Sequence, residues 1–200
     1  MKTTHRPLLF LAAAVLLGAW ALEGSVIARA GSDTHTKVPG TGGAMHAKTR
    51  IVPFLWFDDD AEEAIRFYSS IFPDSKVIEE TRTGPRGTLA SARFRLAGQE
   101  LIALNGGPMY SFTEAISLFV SCETQGEVDE LWAKLTAGGG KPGRCGWLKD
   151  RYGLSWQVIP GALVSMLHDK DPAKAKRVAD AMMTMDRIDI ERLRQAYNGR

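Results

Sequence analysis

Cysteine is scarce in this 200-residue chain: Cys122 and Cys145 are the only two. Their spacing fits no zinc-ligand pattern, and two thiols cannot build the disulfide framework that small secreted domains rely on. Free thiols are the default, and a single bond between them stays open because sequence carries no distance. Histidine is almost as rare. His5, His35 and His46 precede the patterned part of the chain and His168 follows its last predicted strand. No histidine is therefore placed to activate Cys145 as a nucleophile, and Cys145 reads as a packing thiol. No apolar run beyond Leu22 is long enough to span a bilayer. Excess charge is missing too. The formal net charge is +2, and Lys2, Arg6 and Arg29 against Glu23 account for it, leaving 22 basic and 22 acidic side chains in the rest. A neutral body without a basic run has no electrostatic footprint for nucleic acid, so no nucleic-acid partner is expected.

What is present begins with a leader. Lys2, His5 and Arg6 precede an apolar stretch over 8–17, and Ala28-Arg29-Ala30 follows as a small-x-small site. Basic start, apolar stretch and small-residue site are the parts of a secretory signal peptide, giving a segment 1–30 removed on export to the periplasm or beyond. The alternative is a cytoplasmic chain starting at Met45. Residues 31–50, rich in Gly, Thr, His and Ser without periodicity, read as a flexible linker.

From Ile51 the pattern becomes regular. An apolar strand over 51–57 ends in Asp58-Asp59-Asp60, which read as caps of a following helix rather than metal ligands. Residues 61–71 form an amphipathic helix with Ala64, Phe67, Tyr68 and Ile71 on one stripe, and Glu62 and Glu63 in its first turn. Strands over 76–82, 89–96 and 100–104 complete a first module. A second module repeats the order: strand 115–122, helix 125–137, strands 141–148 and 154–159. Shifting by 64 residues lays Phe67-Tyr68 on Leu131-Trp132 and Ile71 on Leu135. Two small α+β modules of this kind need each other to bury their sheets and should leave a concave surface between them. Beyond Pro160, Asp171-Pro172 opens a helix running to about Met185, and another covers 188–197. Met182, Met183 and Met185 there read as packing residues.

Three motifs occur in order: Pro53-Phe54-Leu55-Trp56-Phe57 with Ala61-Glu62-Glu63-Ala64 and Phe67-Tyr68; Leu104-Asn105-Gly106-Gly107-Pro108; and the run from Cys145 to Gln157 that includes Trp147-Leu148-Lys149-Asp150-Arg151-Tyr152-Gly153. Together they resemble the PhnB-like branch of the vicinal oxygen chelate superfamily, which includes glyoxalases, bleomycin-resistance proteins and extradiol dioxygenases. Members of this branch carry a 3-demethylubiquinone-9 3-methyltransferase-like label. The resemblance implies an α+β fold of paired βαβββ modules, about 51–105 and 115–160 within a domain 51–160, forming a cup-shaped mixed sheet. A helical extension over 161–200 follows. It also implies frequent homodimers.

In metal-using relatives the ligands stand on the first strand and the late strands of each module. Those positions fall on Pro53, Ile102, Ser117 and Gln157, and only Gln157 offers a ligand, and a weak one. The resemblance thus implies no metal and no catalytic residue. The expected ligand-binding set is Leu55, Phe57, Asn105, Ser117, Trp147 and Gln157, with Trp147 or Trp156 free to stack on a flat ligand or to join the core. Gly138-Gly139-Gly140 lies after a helix and before a strand, the wrong order for a nucleotide-type cofactor loop, so no cofactor is expected and methyl transfer gains no support. The reading is a binder of a small organic molecule in an apolar cup. Its rivals are a divergent lyase, isomerase or dioxygenase, and a dimeric interaction module whose cup is filled by its own side chains.

Overall fold

The computed structural model describes residues 51–200, so the expected signal peptide, the linker, the alternative start at Met45 and three of the histidines lie outside the described residues. The first module runs β1 (Phe54–Phe57), α1 (Ala61–Ile71), β2 (Lys76–Thr83), β3 (Thr88–Leu96) and β4 (Gln99–Asn105). Its sheet order is β1-β4-β3-β2, with β1 parallel to β4 and the other pairs antiparallel. The second runs β5 (Ser117–Cys122), α2 (Gln125–Thr136), β6 (Lys141–Pro142), β7 (Trp147–Lys149) and β8 (Ser155–Pro160), in the matching order β5-β8-β7-β6. The repeat is thus a repeat of topology, and the 64-residue shift holds in the helices. Ala64 and Val128 are both fully buried, as are Ile71 and Leu135 within 9%.

Alternation decides the faces of each sheet. Leu55, Phe57, Phe94, Leu101 and Ala103 of the first sheet are buried, as are Leu148, Trp156 and Val158 of the second, and all join one core with α1 and α2. Phe72, just past α1, stacks on Trp156 at a centroid distance of 5.3 Å, so the two modules share that core rather than building two. At its centre is Asp150, 3% exposed. Its Oδ1 accepts from the backbone N–H groups of Tyr152 (2.9 Å) and Leu154 (3.0 Å), and its Oδ2 from the Tyr68 hydroxyl and the Trp156 indole N–H (both 2.8 Å). Tyr68 is on α1 and Trp156 on β8, so one carboxylate ties the modules together. Burial pushes its carboxyl above the usual range, against the pull of the four hydrogen bonds.

The helix ends show how local sequence sets these elements. Thr124 and Glu127 form a reciprocal capping box at the start of α2. At α1, where the three aspartates are expected to cap, Asp60 occupies the cap position but makes no side-chain bond to the helix. The N–H of Ala61 is satisfied instead by Asn105 Oδ1 at 2.9 Å, from the end of β4.

The strand expected over 141–148 is broken between β6 and β7. Cys145 and Gly146 both take left-handed backbone conformations (φ 59° and 84°). Their N–H groups leave the sheet and donate to Met185 O (2.8 Å) and Asp186 O (2.7 Å) in the C-terminal extension, while Val158 N–H donates to Gly146 O at 2.8 Å. Only glycine fits at 146: a Cβ there would lie 2.6 Å from Ile159 Cδ1 and 2.9 Å from Val158 O.

The extension itself holds α3 (Gly161–Leu167), which the sequence pattern does not reveal, then α4 (Pro172–Met182) and α5 (Ile190–Tyr197). Asp171 caps α4 ahead of Pro172, as expected, and α4 stops at Met182, three residues short of the expected end. Leu163, Val178, Met182, Met185, Ile188 and Leu193 gather around Ile159 into a second core. Met182 and Met185 pack there, whereas Met183 is 41% exposed. The extension is pinned to α2 by Gln125, whose side chain donates to Ile188 O (3.1 Å) and accepts from Ile190 N–H (2.8 Å), and by the Arg187–Asp129 ion pair at 2.8 Å.

Candidate functional site

Because the helix-side faces are consumed by the shared core, the opposite face of each sheet is the more open one among the described residues, although on β8 Ser155 is fully buried and Ile159 lies beneath the C-terminal extension. The residues lining the two open faces point away from that core, so the described residues present two half-cups rather than a closed one. On the first sheet, register places Phe54, Ile102, Arg93 and Glu79 in one row, and Trp56, Leu104, Ser91 and Thr81 in the next. The β1 side of this face is aromatic and the β2 side is polar. Thr81, Ser91, Arg93, Glu79 and Ile102 border a shallow cavity of about 220 Å³. Trp56 is fixed by donation from its indole N–H to Gly107 O (2.8 Å) and by an edge contact with Tyr110. Gly106 lies flat against the Trp56 ring, where a Cβ would come within 2.3 Å.

On the second sheet the open face carries the rows Ser117, Ser155, Lys149 and Phe119, Gln157, Trp147. Gln157 Nε2 donates to Ser117 Oγ at 2.8 Å. Lys149 Nζ lies 2.7 Å from Glu114 Oε1, and that hydrogen bond holds the Glu114 carboxyl below its ordinary range. Ser155 Oγ is fully buried and has no hydrogen-bond partner among the described residues. Phe119 is 43% exposed, a large apolar group that the described residues leave uncovered.

Of the residues expected to line the cup, Ser117, Trp147 and Gln157 stand on this open face. Leu55 and Phe57 do not: each is 2% exposed and directed into the core. β1 is apolar on both faces, so its sequence does not say which face turns inward, and the outward pair is Phe54 and Trp56. Asn105 is also a structural residue. Besides capping α1, it donates from Nδ2 to Leu89 O at 3.0 Å, so both ends of its amide are used inside the fold. Trp156 belongs to the core and Trp147 to the open face, which resolves the choice between them. Lys149, Glu114, Ser155 and Phe119 are additions. Alternation outward from Gln157 and Trp147, read through strand pairing, is the signal that finds three of them, whereas Glu114 lies in the connection between the modules.

The four positions that carry ligands in metal-using relatives come together in pairs, Pro53 O accepting from Ile102 N–H at 3.0 Å and Ser117 bonded to Gln157. Their chemistry does not fit a divalent metal, because Pro53 and Ile102 have no side-chain donor and Ser117 offers a neutral hydroxyl. Among the described residues no three His, Cys, Asp or Glu side chains converge. His168 is spent on Val164 O at 2.8 Å. Cys122 and Cys145 are both free thiols. The glycine cluster at 138–140 sits in the turn from α2 to β6.

The sequence pattern of one family, described as 3-demethylubiquinone-9 3-methyltransferase, matches residues 49–159. Among solved structures, a Bacillus cereus PhnB protein carrying that same methyltransferase label is 35% identical, with a TM-score of 0.52 over 56% of this chain and all of its own. The protein PA1353 from Pseudomonas aeruginosa is 19% identical (TM-score 0.47; 56% of this chain, 98% of that one). The fosfomycin resistance protein FosX from Listeria monocytogenes is also 19% identical (TM-score 0.46; 62% and 100%). No curated protein matches. With more than half its length matched and the paired βαβββ modules in place, the chain belongs to the 3-demethylubiquinone-9 3-methyltransferase family, the PhnB-like branch of the vicinal oxygen chelate superfamily.

Proposed function

We propose that this protein binds a small organic molecule on its open sheet faces, without a divalent metal, and does so as a homodimer in which the half-cups of two chains meet. The observation that carries this reading is the second open face, where Gln157 and Ser117 form a hydrogen-bonded polar pair beside the aromatic side chains of Phe119 and Trp147. A few placed polar groups among apolar and aromatic walls are what small-molecule sites require. The homodimer is supported by the direction of the faces. Among the described residues the outward face of the first sheet is uncovered and that of the second is covered only in part, and Phe54, Ile78 and Phe119 are large apolar residues left more than 40% exposed. The donor set supports a metal-free reading. Methyl transfer, despite the family's description, finds no strand-to-helix glycine loop at 138–140 to hold a nucleotide-type methyl donor.

Light scattering at micromolar concentration, combined with thermal melting against a set of small aromatic compounds, tests both parts. A dimer whose melting temperature rises with at least one compound is expected, since a ligand bound only by the folded state must stabilise it. A strict monomer that no compound stabilises would refute the proposal.

A further inference from the structure

Resting on that reading, we infer that the open face of the second sheet is shaped for a planar aromatic ring bearing a carboxylate. Phe119, Gln157 and Trp147 form a straight row across β5, β8 and β7. With strands about 4.8 Å apart, the row runs about 10 Å and offers two aromatic side chains with an amide between them, a floor for a flat two-ring system. Gln157 gives its Nε2 hydrogen to Ser117, which leaves its Oε1 as acceptor and the Ser117 hydroxyl hydrogen as donor toward the face.

The neighbouring row supplies the charge. Lys149 is two residues along β7 from Trp147, hence on the same face about 7 Å away, within reach of its flexible four-carbon stem. Its ammonium has three donors, and its ionic partner among the described residues is Glu114, whose side chain is 63% exposed. An exposed pair of this kind contributes little, so a ligand carboxylate can replace Glu114 at small cost. Ser117 and the buried Ser155 stand beside Lys149 in the same row, with Ser155 Oγ unpartnered among the described residues. A carboxylate on the ring edge therefore meets an ammonium and the Ser117 hydroxyl, while the ring rests on Trp147 and Phe119. On the first sheet the charges are mixed, Glu79 lying across from Arg93 in register and Glu100 ion-paired to both Arg93 (3.7 Å) and Arg95 (3.2 Å), so that face does not single out an anion.

The probes are 2-naphthoate and its neutral counterpart 2-naphthamide, titrated into the full-length protein by calorimetry. The wild type should bind the acid about tenfold more tightly than the amide, the worth of one charge-assisted hydrogen bond. Lys149→Met should abolish that preference by weakening the acid alone, and Lys149→Arg should restore it. Glu114→Gln should tighten the acid, since it removes the competitor. Trp147→Leu should weaken acid and amide together. Equal binding of the two compounds, or a preference that survives Lys149→Met, overturns this inference while leaving the small-molecule reading in place. Binding of neither compound overturns the inference by itself, and the broader reading falls only if the thermal-melting set fails as well.

Discussion

Replacing Asp150 by Asn is the sharpest perturbation of the shared core, because shape is kept and hydrogen-bond polarity is reversed at one of two oxygens. The carboxylate accepts four hydrogen bonds, two on each oxygen. If the new amide group faced Tyr152 and Leu154, two backbone donors would lose their acceptor. The variant instead keeps its carbonyl there and turns its NH2 toward Tyr68 and Trp156. The tyrosine hydroxyl can rotate to accept, but the indole N–H is a donor only. One buried donor is left unmade, at a cost of about 1–3 kcal/mol. For a body of this size each kcal/mol lowers the melting temperature by about 2–4 °C, so a fall of roughly 2–12 °C is expected. Trp156→Phe removes the stranded donor. In a double-mutant cycle the pair of substitutions should cost less than the sum of the singles by about 1–3 kcal/mol, read from urea unfolding. Additivity to within about 0.5 kcal/mol would refute the reasoning. The same carboxyl has a pH signature. Its folded pKa is raised by burial, so the folded state holds that proton more tightly than the unfolded chain does. Its contribution to stability is greatest in acid and declines as pH rises from the ordinary carboxylate range through the raised value. The stability of wild type relative to Asp150→Asn should therefore shrink as pH is raised through that window, and a difference that grows with pH would contradict the assignment.

Two further outcomes follow from residues whose roles the structure reassigns or separates. Asn105→Ala removes the side-chain acceptor of the Ala61 N–H and the donor to Leu89 O, and should lower stability by about 1–2 kcal/mol in thermal or urea unfolding while leaving binding on the second sheet unchanged. The two thiols should react with Ellman's reagent at different rates. Cys122 is 1% exposed with its thiol pushed up to about 11 by burial, so in the folded protein at pH 8 the fast phase should belong to half-buried Cys145 and vanish in Cys145→Ser.

Much of the architecture was legible because it is written in periodicity. The helix 61–71 is found at the limits expected from its stripe, and Ala64 and Ile71 have true counterparts in Val128 and Leu135. The candidate site was legible only where the family resemblance supplied positions. Ser117 and Gln157 came from the ligand positions of metal-using relatives, whereas every residue of Phe54–Phe57 is apolar and the choice between Leu55–Phe57 and Phe54–Trp56 was settled by packing. Asn105 has the chemistry of a ligand contact, but its acceptor duty is to an N–H 44 residues earlier in the chain, a partner no local pattern shows. Lys149 reads as an ordinary surface charge until β7 is paired with β8. The break at 143–146 has glycine at both ends, yet what fixes it is a carbonyl pair 40 residues further on.

That last feature bears on how the protein is made. Cys145 and Gly146 hold their left-handed turn by donating to Met185 and Asp186, and Gly146 in turn accepts from Val158 in the sheet. The second sheet therefore takes its final shape only with residues near the end of the chain in hand. During synthesis the first module has all its strands once Asn105 has emerged, but its core still lacks Asp150 and Trp156, and β7 and β8 that bring them are held by the segment around Asp186. Until then the row of Phe119, Gln157 and Trp147 is not assembled. A chain stopped short of Asp186 would leave Cys145 and Gly146 without their acceptors, and the proposed binding face would be among the last parts of the molecule to form.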